Sequence, residues 1–310
     1  MSARHVLDVD DLGPDGLAAV LDLAGRPPAD LGRPLAGAGV ALVFEKPSAR
    51  TRNSSELAVA ALGGHPVYIQ GAEVGIGVRE SAEDVARTLA CYHRIVCARV
   101  NDHAVLERMA AALDQAGAGV PVVNLLSDRA HPCQALADLL TLRQVFGVEG
   151  ARARPLAYIG DANNVWRSLA LAAAMDGIPT RIAAPSGYGP SDADLALIRS
   201  AGGEISVTDD PAAAAEGAGA LYTDVWTSMG QEDERAARTA AFAGFQVDED
   251  LLGRAADDAV VLHCLPAHRG EEISAAVVDG PRSEVWRQAA NRMHAMRGLL
   301  AWLAGGAGER

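Results

Sequence analysis

Val40-Ala41-Leu42-Val43-Phe44-Glu45-Lys46-Pro47-Ser48-Ala49-Arg50-Thr51-Arg52 is the stretch on which the fold turns. Five consecutive apolar residues run into a polar turn, after which the spacing predicts a helix near residues 50–62. An apolar run with no polar face suits a strand buried on both sides, and parallel neighbours of such a strand are reached through crossover helices. The alternation continues outward from this point. Strands are expected at 66–69, 95–98 and 122–125, with helices near 82–92 and 102–116; Ser81, with Asp84 three residues on, gives the first of these a capping-box start. A second series of apolar runs lies at 156–159, 181–183, 204–207, 220–223 and 260–263. Between the two series runs a long amphipathic segment, about 132–146, closed by Gly147. The expected class is therefore α/β, with two doubly wound parallel-sheet domains joined by a long helix that contains the boundary. A last helix is expected at about 283–303, followed by a flexible GGAGER tail.

The composition agrees with two cores rather than one. The chain has 310 residues, 49% of them hydrophobic and only 4% aromatic, so Ala, Val, Leu and Ile must fill the interior. Disordered and collagen-like classes are excluded. The formal charge of −13, from 27 Lys+Arg against 40 Asp+Glu, disfavours nucleic acid and anionic membrane as partners. A few focused arginines can still bind a small anion. The four cysteines show no CxxC spacing, which points away from a zinc module or disulfide framework and towards a reducing cytoplasm. The polar, acidic amino terminus lacks a signal-like apolar stretch, and no later run reaches membrane-spanning length. A soluble cytoplasmic protein is expected.

Ligands of open parallel sheets bind beyond the carboxyl ends of the strands. After the first strand, Ser48, Arg50 and Thr51 stand where a helix begins, so backbone N–H groups, the helix dipole and guanidinium together make an anion site. The third strand ends at Arg99, a group able to polarise a carbonyl. After the fourth, Ser127-Asp128-Arg129-Ala130-His131-Pro132-Cys133-Gln134 places His131 and Gln134 on one side, a pair suited to a planar carbamoyl or amide group. In the second series, Gly160-Asp161-Ala162-Asn163-Asn164 occupies the place of a dinucleotide fingerprint but lacks its glycines, so NAD is a poor fit. Capping is the safer assignment for Asn163 and Asn164. Asp224 can hold an ammonium group, and Cys264 can orient or deprotonate one, although a lone cysteine there is by default an inert buried thiol.

FEKPSARTR, HPCQALADL, GDANN, DVWTSMGQE, HCLPAHRGEEI and NRMHAMRGLL follow one another in this order. The chain thereby resembles the aspartate/ornithine carbamoyltransferase family from its first strand to its last helix. The DxxxSMG and HCLP elements point to ornithine as the acceptor and to citrulline and phosphate as products, within arginine metabolism. The resemblance implies a carbamoyl phosphate-binding domain, residues 1–138 completed by a returning helix at 285–310, and an ornithine-binding domain, residues 139–284. It implies a homotrimer or a multiple of trimers, no metal and no cofactor. Carried over residue by residue, it assigns Ser48, Ala49 through its backbone, Arg50 and Thr51 to the phosphate, and Arg99, His131, Gln134 and Arg292 to the carbamoyl phosphate site. Asn164, Asp224, Ser228 and Met229 would hold ornithine, with Cys264 and Leu265 beside the reacting centre. Arg99, His131 and Cys264 are the catalytic candidates.

Two departures from the family pattern stand out. Ala49 replaces a threonine, a loss of about 0.5 to 1.5 kcal/mol if that hydroxyl made one net hydrogen bond. Gly75 stands where the family often has a glutamine reaching a neighbouring subunit's carbamoyl phosphate, which leaves Arg79 as the nearby substitute. An amine acceptor other than ornithine, such as putrescine, and a non-catalytic paralogue remain as alternatives. Because ornithine's side-chain amine titrates near that of lysine, at about 10.4, the rate is expected to rise from pH 6 to above pH 8.

Overall fold

The computed structural model describes residues 3–227 and 232–305. The chain forms two compact units, Met1–Ala137 with Ala290–Arg310, and Asp138–Ala289. Each is α/β and is built on its own parallel sheet.

The first unit contains β1 (Gly39–Phe44), β2 (His65–Gln70), β3 (His93–Arg99) and β4 (Val122–Leu126), in the order β2-β1-β3-β4. β1 is the older of the two central strands in chain order, and its residues from Val40 to Phe44 are all buried. From β1 the chain first builds outward to β2, then returns to place β3 and β4 on the opposite side. The direction of winding reverses between β1 and β3, and the crevice beyond such a reversal is where open sheets bind ligands. One face of the sheet packs Ala41, Val43, Val96 and Ala98 against Val85, Leu89, Leu106 and Met109 from helices Ala82–Ala90 and His103–Gln115. Helix Gly13–Gly25 also belongs to this unit. It falls outside the sequence-based expectation because Gly13, Pro14, Gly16 and Gly25 depress its helical signal, while burial of Leu17, Val20 and Leu21 holds it in place.

The second unit contains β5 (Leu156–Ile159), β6 (Thr180–Ala183), β7 (Ile205–Thr208), β8 (Ala220–Thr223) and β9 (Val260–His263), ordered β7-β6-β5-β8-β9. Here the winding reverses between β5 and β8. Tyr158 of β5 and Tyr222 of β8 are register partners, with rings stacked 5.4 Å apart.

Both passages of the chain between units fall inside helices, Pro132–Phe146 and Val285–Gly305. The second passage is at 289/290, one turn into its helix rather than at the helix start, 284/285. The first turn is anchored in the second unit: Gln288 donates to Asp138 Oδ1 (2.7 Å) and to the Tyr222 hydroxyl (3.2 Å), and accepts from the His263 backbone N–H (2.8 Å). The helix ends at Gly305, and the remainder of the expected tail lies outside the described residues.

Candidate active site

In the first unit, Ser48 is the N-cap of helix Ala49–Ala61. Its Oγ accepts the Thr51 N–H (3.3 Å) and donates to Thr51 Oγ1 (3.1 Å). Ala49 and Arg50 are exposed in the first turn, where N–H groups lack helical partners, and Thr51 is buried. The residues that cap this helix are thus the ones expected from the sequence to bind an anion. Arg99 closes β3, whose register sets it opposite Phe44, the residue that opens the Ser48 loop. It is buried, its Nε has no hydrogen-bond partner, and burial with the neighbouring Arg292 and Arg50 lowers its pKa to about 10.

His131 and Gln134 begin the Pro132–Phe146 helix and are both buried. Burial, then Arg292, Arg99 and Arg50, hold the His131 imidazole well below its usual range, so it is neutral at pH 7. Arg292 donates through Nη1 to Gln134 Oε1 and through Nη2 to Thr51 Oγ1 (3.2 Å). Ser48, Thr51, Gln134 and Arg292 are therefore one hydrogen-bonded group, and Arg50 and Arg292 are close enough to act electrostatically on Arg99 and His131. A field built of three guanidinium groups around a neutral imidazole is arranged for an anion with several oxygens.

The neighbouring loop takes a form that excludes a side chain at Gly75. Gly75 has φ +64°, ends the short helix Gly71–Val74, and a Cβ there would lie 2.8 Å from Arg79 Cβ. Arg79 donates to the Glu73 carbonyl (3.2 Å) within the same loop.

In the second unit the groups gather beyond β5, β8 and β9. Asn163 caps helix Asn164–Asp176, its Oδ1 accepting from the N–H groups of Val165 (2.9 Å) and Trp166 (3.1 Å), while its Nδ2 donates to Asp224 Oδ2 (2.9 Å). Asn164 is the first residue of that helix. Asp224 is buried, and its Oδ1 accepts from the Val225 N–H (2.8 Å) and the Cys264 thiol (2.9 Å). The thiol is half-buried rather than sealed in the core, unlike Cys97 and Cys133 of the first unit, whose pKa values burial drives upward. Ser228 and Met229 lie outside the described residues.

Leu265 is the one described non-glycine residue with positive φ, +62°, and its bond to Pro266 is cis. Its N–H donates to His263 Nδ1 (2.9 Å), which places the imidazole proton on Nε2, facing the buried Glu272 Oε1 at 3.1 Å. His263, Asp224 and Cys264 have ligand atoms within 4.8 Å of one another. With both imidazole nitrogens committed to protein partners, however, this group presents a carboxylate and a thiol, a pair that suits an amine. Beneath them burial, then Asp224, raises the Tyr158 phenol, and burial, then Asp138, raises that of Tyr222. Sequence reasoning missed the Asn163 link to Asp224 and the His263–Glu272 pair. The signal for the pair lay in HCLPAHRGEE itself, but only the fold turns Glu272 back onto β9.

Two family models match the chain: "Aspartate/ornithine carbamoyltransferase, carbamoyl-P binding domain" over residues 4–144 and "Aspartate/ornithine carbamoyltransferase, Asp/Orn binding domain" over residues 153–303. Among similar curated proteins, the ornithine carbamoyltransferase of Acidothermus cellulolyticus is 52% identical, the alignment covering 99% of this chain and 98% of that one. The crystal structure of ornithine carbamoyltransferase from Thermus thermophilus has a TM-score of 0.86 at 45% identity, covering 98% of this chain and 99% of that one. The anabolic ornithine carbamoyltransferase structure from Campylobacter jejuni has a TM-score of 0.90 at 30% identity, covering 99% and 100%.

Proposed function

Since the chain belongs to the aspartate/ornithine carbamoyltransferase family, we propose that it transfers the carbamoyl group of carbamoyl phosphate to the side-chain amine of L-ornithine, giving L-citrulline and phosphate. The observation that carries the choice of acceptor is the Asp224 carboxylate, buried and bonded to the Cys264 thiol. It attracts an amine and repels the second carboxylate that aspartate would bring.

In this reading Met1–Ala137 with Ala290–Arg310 is the carbamoyl phosphate unit and Asp138–Ala289 the ornithine unit. Ser48, Arg50, Thr51 and the Ala49 N–H hold the phosphate, with Arg292 fixing Thr51 and Gln134 from the last helix. Arg99 and the neutral His131 donate to the carbamoyl oxygen as it gains negative charge, and Gln134 accepts from the carbamoyl NH2. Asn164, Asp224, Ser228 and Met229 bind ornithine, and Cys264 and Leu265 border the reacting atoms. The neutral amine attacks the carbamoyl carbon, forming the C–N bond. The bond from carbon to the phosphate oxygen then breaks, the electron pair leaves with phosphate, and the amine proton passes to the departing phosphate. Only about one ornithine in a few thousand carries a neutral side-chain amine at pH 7, so proton removal limits the rate at low pH. Asp224 binds the ammonium form and then stands beside the amine that must lose its proton.

The native assembly in this reading is a homotrimer or a multiple of trimers in the cytoplasm, with carbamoyl phosphate and L-ornithine as its partners. No described helix is long and apolar enough to cross a membrane.

The test is citrulline formation by the purified protein from carbamoyl phosphate at pH 8, with putrescine, lysine and aspartate as parallel acceptors. Turnover of ornithine alone is the expected result, and the rate rises between pH 6 and pH 8. Turnover of another amine in place of ornithine moves the assignment to that acceptor, and Gly75, in place of the family glutamine, becomes the feature to examine. Binding of carbamoyl phosphate without turnover of any acceptor makes the chain a non-catalytic paralogue.

A further inference from the structure

One side chain outside the groups named so far fastens three loops of the second unit to one another. Arg238, in the short helix Arg235–Ala241, is buried. Its Nη1 donates to Asp161 Oδ2 (2.7 Å) in the loop after β5 and to the Trp226 carbonyl (3.1 Å) in the loop after β8. Its Nε donates to Glu234 Oε2 (2.8 Å). The guanidinium also lies over the Tyr188 ring, 5.1 Å from its centroid, in the loop after β6. The loops after β5 and β8 lead to groups of the proposed ornithine site, and the loop after β6 is bonded to the first of them. Asp161 is two residues before Asn163, which accepts nothing from Asp224 but donates to it, and the Asn163 N–H itself donates to the Asp161 carbonyl (2.8 Å). Trp226 is two residues after Asp224. Tyr188 accepts the Ala162 N–H through its carbonyl (2.9 Å) and packs its ring on Phe242, as Trp226 does. Asp224 is thus held from the β5 side through Asn163 and from its own loop through Trp226, and both holds converge on one guanidinium.

We propose that Arg238 is a positioning residue that sets affinity for the amino-acid acceptor by fixing Asp224 and the Asp161–Asn164 turn, without touching either substrate. This deepens the ornithine carbamoyltransferase reading and rests on it. A planar group with donors in several directions is needed at this point. A lysine ammonium can satisfy Asp161 but cannot also serve Glu234 and the Trp226 carbonyl while lying flat on Tyr188.

The experiment is steady-state kinetics of R238K and R238M on the full chain, beside equilibrium binding of carbamoyl phosphate and thermal unfolding. R235M serves as the control: Arg235 lies on the same helix, is exposed, and pairs with Glu271 away from these loops. R238M is expected to raise the ornithine KM at least about tenfold, the equivalent of one charge-assisted hydrogen bond. Its KM and binding constant for carbamoyl phosphate should stay within about twofold of wild type, as should every constant of R235M. R238K should recover part of the ornithine KM, and it decides the matter alone if R238M does not fold. A lower Tm with an unchanged ornithine KM, or equal losses for both substrates, would overturn the role given to Arg238. A wild-type protein that forms no citrulline overturns the functional reading and this inference together, whereas an active wild type with unaffected variants overturns this inference alone.

Discussion

Asp224→Asn is nearly isosteric, yet the structure gives an amide no acceptable orientation at this position. Asp224 Oδ1 accepts from the Val225 N–H and the Cys264 thiol, and Oδ2 accepts from Asn163 Nδ2. All three partners are donors. An asparagine that keeps its oxygen towards Val225 and Cys264 turns its NH2 on the NH2 of Asn163, and the flipped amide turns its NH2 on the other two. Asn163 cannot rotate in compensation, because its oxygen is occupied by the Val165 and Trp166 N–H groups that start the helix. In the proposed reading the substitution also removes the negative charge that attracts the acceptor's ammonium. One lost hydrogen bond to a charged group and one donor left facing a donor amount to about 2 to 4 kcal/mol, which is roughly 30- to 900-fold in kcat/KM for ornithine. The assay is initial-rate citrulline formation with ornithine varied at saturating carbamoyl phosphate, with calorimetric binding of carbamoyl phosphate as the internal control, since its site is assigned to the other unit. A fall of less than about threefold in kcat/KM, with carbamoyl phosphate binding intact, would refute the assignment of Asp224 as the group that holds the amine.

The first unit should show its electrostatics in stability. His131 is held neutral in the folded chain and titrates near 6.5 when unfolded. Below that pH the unfolded chain binds a proton that the folded chain does not, so stability is full above about pH 7 and is lost as pH falls through 6.5. The loss is at most about 1.4 kcal/mol by pH 5.5, the limit for a folded chain that takes up no proton there, and urea unfolding at the two pH values should show His131→Gln losing correspondingly less. Gly75→Gln should destabilise the protein by about 1 to 2 kcal/mol, because the new side chain meets Arg79 in a left-handed backbone; denaturant titration tests this, and carbamoyl phosphate affinity should not improve. With a thiol reagent under native conditions, Cys91 should react first, whereas Cys97 and Cys133, buried and shifted upward, should react only on unfolding.

The parts of this molecule that could be read from its sequence are those in which one residue type answers one local demand. Val40 to Phe44 are apolar because both faces of β1 are covered, and Ser48 follows because a helix must start there. Arg50 and Thr51 are legible for the same reason, being local to the turn that uses them. What escaped was set by sequence separations that no local pattern reports. Arg292 reaches Gln134 and Thr51 from a helix 241 residues beyond the latter, so only its family motif, not its spacing, marked it. Glu272 looks like one more acidic residue in a charged loop until the chain folds back and buries it against His263. The helix Gly13–Gly25 was hidden by glycines that its burial outweighs. Gly75 shows the same limit from the other side. Sequence alone records a missing glutamine, a deficit, whereas the left-handed turn makes glycine a requirement of this loop as it stands. A loop that requires glycine is not repaired by restoring one side chain, so in the proposed reading compensation for the family's glutamine falls to the cations already gathered in the first unit. Those are Arg50, Arg99 and Arg292: beside burial, Arg292 and Arg50 lower the pKa of Arg99, and all three lower that of His131, a positive field that the proposed anionic substrate would neutralise.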